Sequence, residues 1–196
     1  MKTKKAFDLC KKRNTVFLYN GDEAQWISDG CAVYPLFGLP VFNKETLFKT
    51  NDITDKQAAS INFMLSDELP PNICFEDIEP GEQKVERLPI GIGYRGMSLI
   101  PFKTSTGIEF ISAKYLTPLE DIDGGLLDFY ERRTKGGATY FAVKTGMLIV
   151  AIIQPAEVIS AGMVAELALL AKMCETSLEN KLDKQNEENT QEGLNL

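Results

Sequence analysis

The chain contains no histidine. Without an imidazole there is no Ser-His-Asp or Cys-His catalysis, no His-ligated zinc and no helical histidine-glutamate metalloprotease motif. Cysteine is sparse. Cys10, Cys31, Cys74 and Cys174 stand far apart with no C-x-x-C pair, a spacing that does not suggest zinc. Reduced, mostly buried thiols of a cytoplasmic protein are the expectation, with no signal peptide, because the basic opening residues are not followed by an apolar core. Long hydrophobic runs are also missing: the longest, from Met147 to Ile153, is far too short to span a bilayer. Positive charge is in the minority, 21 basic against 28 acidic side chains for a net of -7. That balance disfavours nucleic acid and anionic membranes as partners of the whole surface, while leaving room for a local basic patch.

What is present reads as an ordinary globular composition, 44% hydrophobic and 25% charged. The opening "KKAFDLCKKR" places Ala6, Phe7, Leu9 and Cys10 on one face of a short amphipathic helix, with lysines around them. The β-prone runs "TVFLY", "AQWIS" and "CAVYPLF" follow, separated by Asn20-Gly21 and Asp29-Gly30, and predict a three-stranded antiparallel meander. Asn43 is placed to cap a short helix. Residues 54 to 84 read equally as helix or strand, then as proline-rich turns. Strand signals resume from 85 to 118 and at "LLDFYERRT", and a hairpin is expected around Thr145-Gly146, its second strand apolar on both faces and therefore central. From 161 to 182, Met163, Leu167, Leu170, Cys174, Leu178 and Leu182 recur at helical spacing, a stripe that a sheet face or a partner helix must cover. The polar composition after Gln185 predicts a disordered acidic tail. Residues 15–49 and 139–182 share the order strand, turn, strand, proline, helix, though few identities. The fold class expected is α+β, mainly antiparallel sheet built from hairpins and meanders, with a short N-terminal and a long amphipathic C-terminal helix. It forms one domain over 1–184, with any internal boundary near 65–84.

One motif invites a sharper reading. In "RLPIGIGYRGMSLIPF", Gly91, Gly93 and Gly96 are spaced as in dinucleotide-binding loops, which require a helix opening at the third glycine. Pro101 lies five residues on and strand-like sequence fills the gap, so a bend or bulge between strands is expected instead. A kinase-type glycine loop fails for want of a histidine-containing catalytic loop. Among carboxylates, Asp121, Asp123 and Asp128 form the best cluster but miss the calcium-loop spacing. Asp22 with Glu23, and Glu76 with Asp77, read as separate solvated turns.

Several stretches, "QWISDGCAVYPLFGLP", "SAKYLTPLED" and "YFAVKTGMLIVAIIQPAEVI", resemble uncharacterised proteins of bacterial prophages and conjugative elements. The resemblance covers about half the chain, carries no catalytic motif, and implies a bacterial or phage setting. The functional expectation is a non-enzymatic binding or scaffold protein without a cofactor or metal, its partner a protein or DNA, with homo-oligomerisation open. A sharper form is a sliding-clamp-like replication accessory whose DNA contacts are Lys4, Lys5, Lys11, Lys12 and Arg13 of the opening helix, with Arg132 and Arg133 on an exposed edge. Trp26 reads either as a core aromatic or as an anchor for a protein partner, and Leu170 marks a possible pairing face. A carboxylate- and metal-dependent hydrolase and an oligomer pairing through the C-terminal helix are the competing classes.

Overall fold

The computed structural model describes residues 2–122 and 124–193, with side-chain surroundings within 2–122 and 125–182. Helix α1 (Thr3–Lys12) forms where the pattern places it: Ala6, Phe7, Leu9 and Cys10 are its buried residues, and Lys11 and Lys12 occupy the last turn, where cations suit the helix dipole. The meander follows as β1 (Thr15–Asn20), β2 (Gln25–Ser28) and β3 (Ala32–Pro35), in antiparallel register with Tyr19 opposite Trp26 and Ile27 opposite Tyr34. Its first connection is longer than a two-residue turn, and Gly21 N–H donates to the Ala24 carbonyl at 3.1 Å. Asn43 caps α2 (Lys44–Thr50) in a reciprocal box with Thr46. The ambiguous stretch after it contains both elements: α3 (Asp55–Ser60), then β4 (Asn62–Ser66), which pairs with β1 in parallel.

The remaining strands are β5 (Gln83–Arg87), β6 (Ile92–Tyr94), β7 (Met97–Thr104), β8 (Gly107–Ser112), β9 (Leu127–Arg133), β10 (Thr139–Thr145) and β11 (Leu148–Ile153). Together they make one 11-stranded, mostly antiparallel sheet in the order β4-β1-β2-β3-β11-β10-β9-β5-β7-β6, with β8 on β7. The glycine motif is a hairpin. Tyr94 pairs with Met97 across a two-residue turn, Arg95 at φ 48° and Gly96 at φ 77°, the left-handed pair that matches strand twist. No helix begins there. A 3₁₀ helix, Ala113–Leu119, precedes β9.

Strands β10 and β11 bury nearly every residue, because β11 lies between β10 and β3 and has a covered layer on each side. Alternation divides the core between the two faces. Ile27, Tyr34, Phe141, Val143, Ala151 and Ile153 join Phe7, Leu47 and Phe48 of the helices in the larger cluster. Trp26, Val33, Tyr140, Ala142, Ile149 and Ile152 form the other, against Leu69, Ile73 and Phe75.

The chain falls into two compact units, Met1–Ala156 and Glu157–Leu196, so residues 65–84 lie inside the first. The second is dominated by α4 (Ala161–Gly193). Leu170, Leu178 and Leu182, expected to be covered, are exposed. The tail expected from residue 185 is helical backbone through Gly193, and residues 194–196 lie outside those described. Among the described residues no helix is long and apolar enough to cross a membrane.

Candidate functional site

Residues 67–82 join β4 to β5 with neither helix nor strand. Connections of this length without secondary structure are uncommon in compact domains. One side chain holds much of this strap. Arg132 on β9 has a side chain 0% exposed, and its guanidinium is spent on the strap. Nη1 donates to the carbonyls of Cys74 at 3.2 Å and Glu76 at 2.9 Å, Nη2 to that of Asp77 at 3.2 Å, and Nε to Glu82 Oε2 at 2.7 Å. Only a planar fork of five N–H donors can satisfy three carbonyls and a carboxylate at once, so lysine cannot replace it. Lys144 supplies the second buried cation, pairing with Glu82 and lying 4.2 Å from the Tyr130 ring centre. Burial opposes ionisation of Glu82, but the hydrogen bonds from Lys144 and Arg132 outweigh it and hold the carboxyl below the ordinary glutamate range.

Three further hydrogen bonds fix the strap's height over the sheet. The Tyr140 hydroxyl accepts from Cys74 N–H at 2.9 Å and donates to Glu79 at 3.0 Å, and its pKa is pushed up to about 12, mainly by burial. Asp77 accepts from Ile149 N–H at 2.8 Å. So positioned, the strap forms one wall of a groove of about 500 Å³, within the ~300–1,000 Å³ usual for ligand sites. Trp26 on β2 lies at its base. Phe75 of the strap meets the indole edge-to-face, centroids 5.0 Å apart at 75°, and Phe37 approaches from the loop after β3 at 6.2 Å and 66°. Leu69 and Ile78 add apolar surface. The rim is acidic: Asp22 and Glu23 come from the β1–β2 turn, Glu76 and Asp77 from the strap, and among the described residues no lysine or arginine lines the groove. Gly21 lets that turn close over the indole, since a Cβ there would meet the Ala24 carbonyl oxygen at 2.8 Å and Trp26 Nε1 at 3.2 Å.

The expected site residues are dispersed. Trp26 is 6% exposed, so the core reading holds for most of its surface, while what remains faces the groove. The exposed-edge expectation for Arg132 is corrected: the residue is buried because strap carbonyls need its donors. Arg133, one residue on and therefore on the opposite face, bonds Glu131 at 2.6 Å and Ser105 at 3.2 Å. In α1, Lys5 pairs with Glu120, and Arg13 is engaged with Cys31 and Tyr115. Of the DNA-contact candidates in that helix, Lys4, Lys11 and Lys12 keep no ion pair among the described residues. Leu170 is 57% exposed. Asp121 is engaged in contacts of its own, Asp123 lies outside the described residues, and Asp128 pairs with Lys84 at 2.7 Å. Among the described residues no three Cys, Asp or Glu side chains converge to hold a metal.

The two acidic pairs that read as separate turns therefore meet at one site. The signal was faint: each pair sits within four residues of an aromatic, Trp26 or Phe75, but only the β1–β2 turn and the strap, folded together, make one rim of them. Compared with known proteins, the chain matches no protein family, no curated protein and no solved structure.

Proposed function

We propose that this is a non-enzymatic binding protein that receives a cationic segment of a partner protein, bearing arginine or lysine between apolar residues, in the groove over Trp26. One observation carries the reading: among the described residues, four carboxylates and no cation surround three aromatic rings. A cation over such rings gains ~0.5–2 kcal/mol from the ring quadrupole, most when desolvated. The carboxylates answer its charge, and Leu69 and Ile78 take apolar neighbours. The same acids repel anionic partners, and the net charge of -7 steers cations toward the molecule.

Trp26 is the sole tryptophan, so its fluorescence reports on the groove directly. Titration with a short peptide alternating arginine and leucine is expected to give a saturable change, weakened by salt and about 3- to 10-fold weaker in an Asp22→Asn, Glu76→Gln variant. A peptide with glutamate in place of arginine should leave the signal unchanged. Equal responses to the two peptides, or none to either, would overturn the reading.

A second reading rests on α4, where Leu170, Met173, Leu178 and Leu182 are each at least 50% exposed. Pairing of two copies through this helix would bury them.

A further inference from the structure

Outside the groove, one cluster gathers nucleophilic and charged side chains from three separate segments. Cys31 stands in the β2–β3 turn, where Asp29 Oδ1 accepts from the N–H groups of Cys31 and Ala32, each at 2.9 Å, and so fixes the backbone. Arg13, at the C-cap of α1, donates from Nη1 to Cys31 Sγ at 2.8 Å and to the Tyr115 hydroxyl at 3.3 Å. The Tyr115 hydroxyl stays protonated, its pKa raised by burial first and then by the charge of Asp29. One guanidinium thus ties the Cys31 sulfur to the Tyr115 hydroxyl. Cys31 is half-buried and the Arg13 side chain 44% exposed, which leaves the thiol within reach of small solutes.

A second observation concerns the carboxylate beside this cluster. Asp29 Oδ2, on a side chain 2% exposed, is the one buried side-chain oxygen or nitrogen among the described residues with no hydrogen bond. It lies 3.9 Å from Nε of the guanidinium that holds the sulfur. Buried acceptors usually take a hydrogen bond, so a hydroxyl formed or bound in this cluster has an acceptor in Asp29 Oδ2. The other thiols lack this setting: Cys10 is buried, its pKa raised by burial and then by the charge of Asp29, and Cys174 is exposed on α4.

We propose that Cys31 is a modification site, a thiol activated by Arg13 for attack on small electrophiles, hydroperoxides in particular. The guanidinium at the sulfur favours the negative charge that develops there as it attacks. In the step itself, the sulfur attacks one peroxide oxygen, the O–O bond breaks, and the departing oxygen takes up the thiol proton. Sulfur is oxidised to the sulfenic acid, and hydrogen peroxide is reduced to water.

The full chain carries its own reference in Cys174. Treated with limiting hydrogen peroxide and a sulfenic-acid trap, or with limiting iodoacetamide, and read by peptide mass spectrometry, Cys31 is expected to react at least ~10-fold faster than the more exposed Cys174. Arg13→Gln should remove that advantage, and Arg13→Lys, which keeps the cation, should retain most of it. Cys10 labelling monitors folding, and if Arg13→Gln opens the fold the wild-type comparison still decides. Reaction of Cys174 as fast as Cys31, or an Arg13→Gln rate equal to wild type in a folded chain, overturns the proposal.

Discussion

Glu82 is the residue whose ionisation the strap depends on most directly. It meets Arg132 and Lys144 at once, and its folded pKa lies below the ordinary value because these partners outweigh burial. Glu131 shifts the same way: burial opposes ionisation, while hydrogen bonds from Ser105 and Arg133 prevail. A depressed folded pKa contributes stability that is fully present above the unfolded glutamate value, about 4.3, and is lost as pH falls through the folded value. Melting temperature should therefore drop on acidification below about pH 4. Glu82→Gln should lower the melting temperature at neutral pH, where two cations lose their anion, and flatten the acid limb. An acid limb as steep as that of the wild type would show that Glu82 does not carry the effect.

At the scale of elements, the strap over 67–82 has no ladder of its own, so its backbone groups must find partners elsewhere. Arg132 takes three of its carbonyls and Tyr140 one of its N–H groups. Removing one partner of a buried ion pair costs ~3–5 kcal/mol, since the remaining charge is stranded. Arg132→Met is expected to lose stability of this order, to raise hydrogen exchange across residues 72–78 before the rest of the sheet, and to abolish peptide binding at Trp26. Unchanged exchange in that segment would mean that apolar packing of Ile73 and Phe75 alone holds the strap. The sequence revealed much at this scale: the α1 face, the meander, the Asn43 cap and a turn between strands, not a helix, at Gly91–Gly96 each followed from local spacing. Arg132 was opaque because its buried state depends on carbonyls more than fifty residues away.

Across the molecule, the sheet is assembled from two meanders, β1–β3 and β9–β11, which meet where β3 pairs with β11. No local pattern encodes that junction, which joins Ala32 and Val33 to Ile153 and Ile152. The oligomer reading belongs at this scale. If copies pair through α4, static light scattering should give a dimer that Leu170→Glu reduces to a monomer, with circular dichroism unchanged. A wild-type mass equal to one chain would end that reading.

What the sequence by itself determined is what short-range rules govern: which segments outside 54–84 and the tail are helix or strand, which turns need a glycine, which chemistry a chain without imidazole cannot perform. Only the tertiary structure decided that Asp22, Glu23, Glu76 and Asp77 share one rim, that Arg132 is buried beneath a strap, and that Arg13, Cys31 and Tyr115 meet. The reason is physical. Secondary structure is set by backbone sterics and hydrophobic period within a few residues, whereas a site is set by contacts between distant segments that pay a loop-closure entropy and leave no local trace.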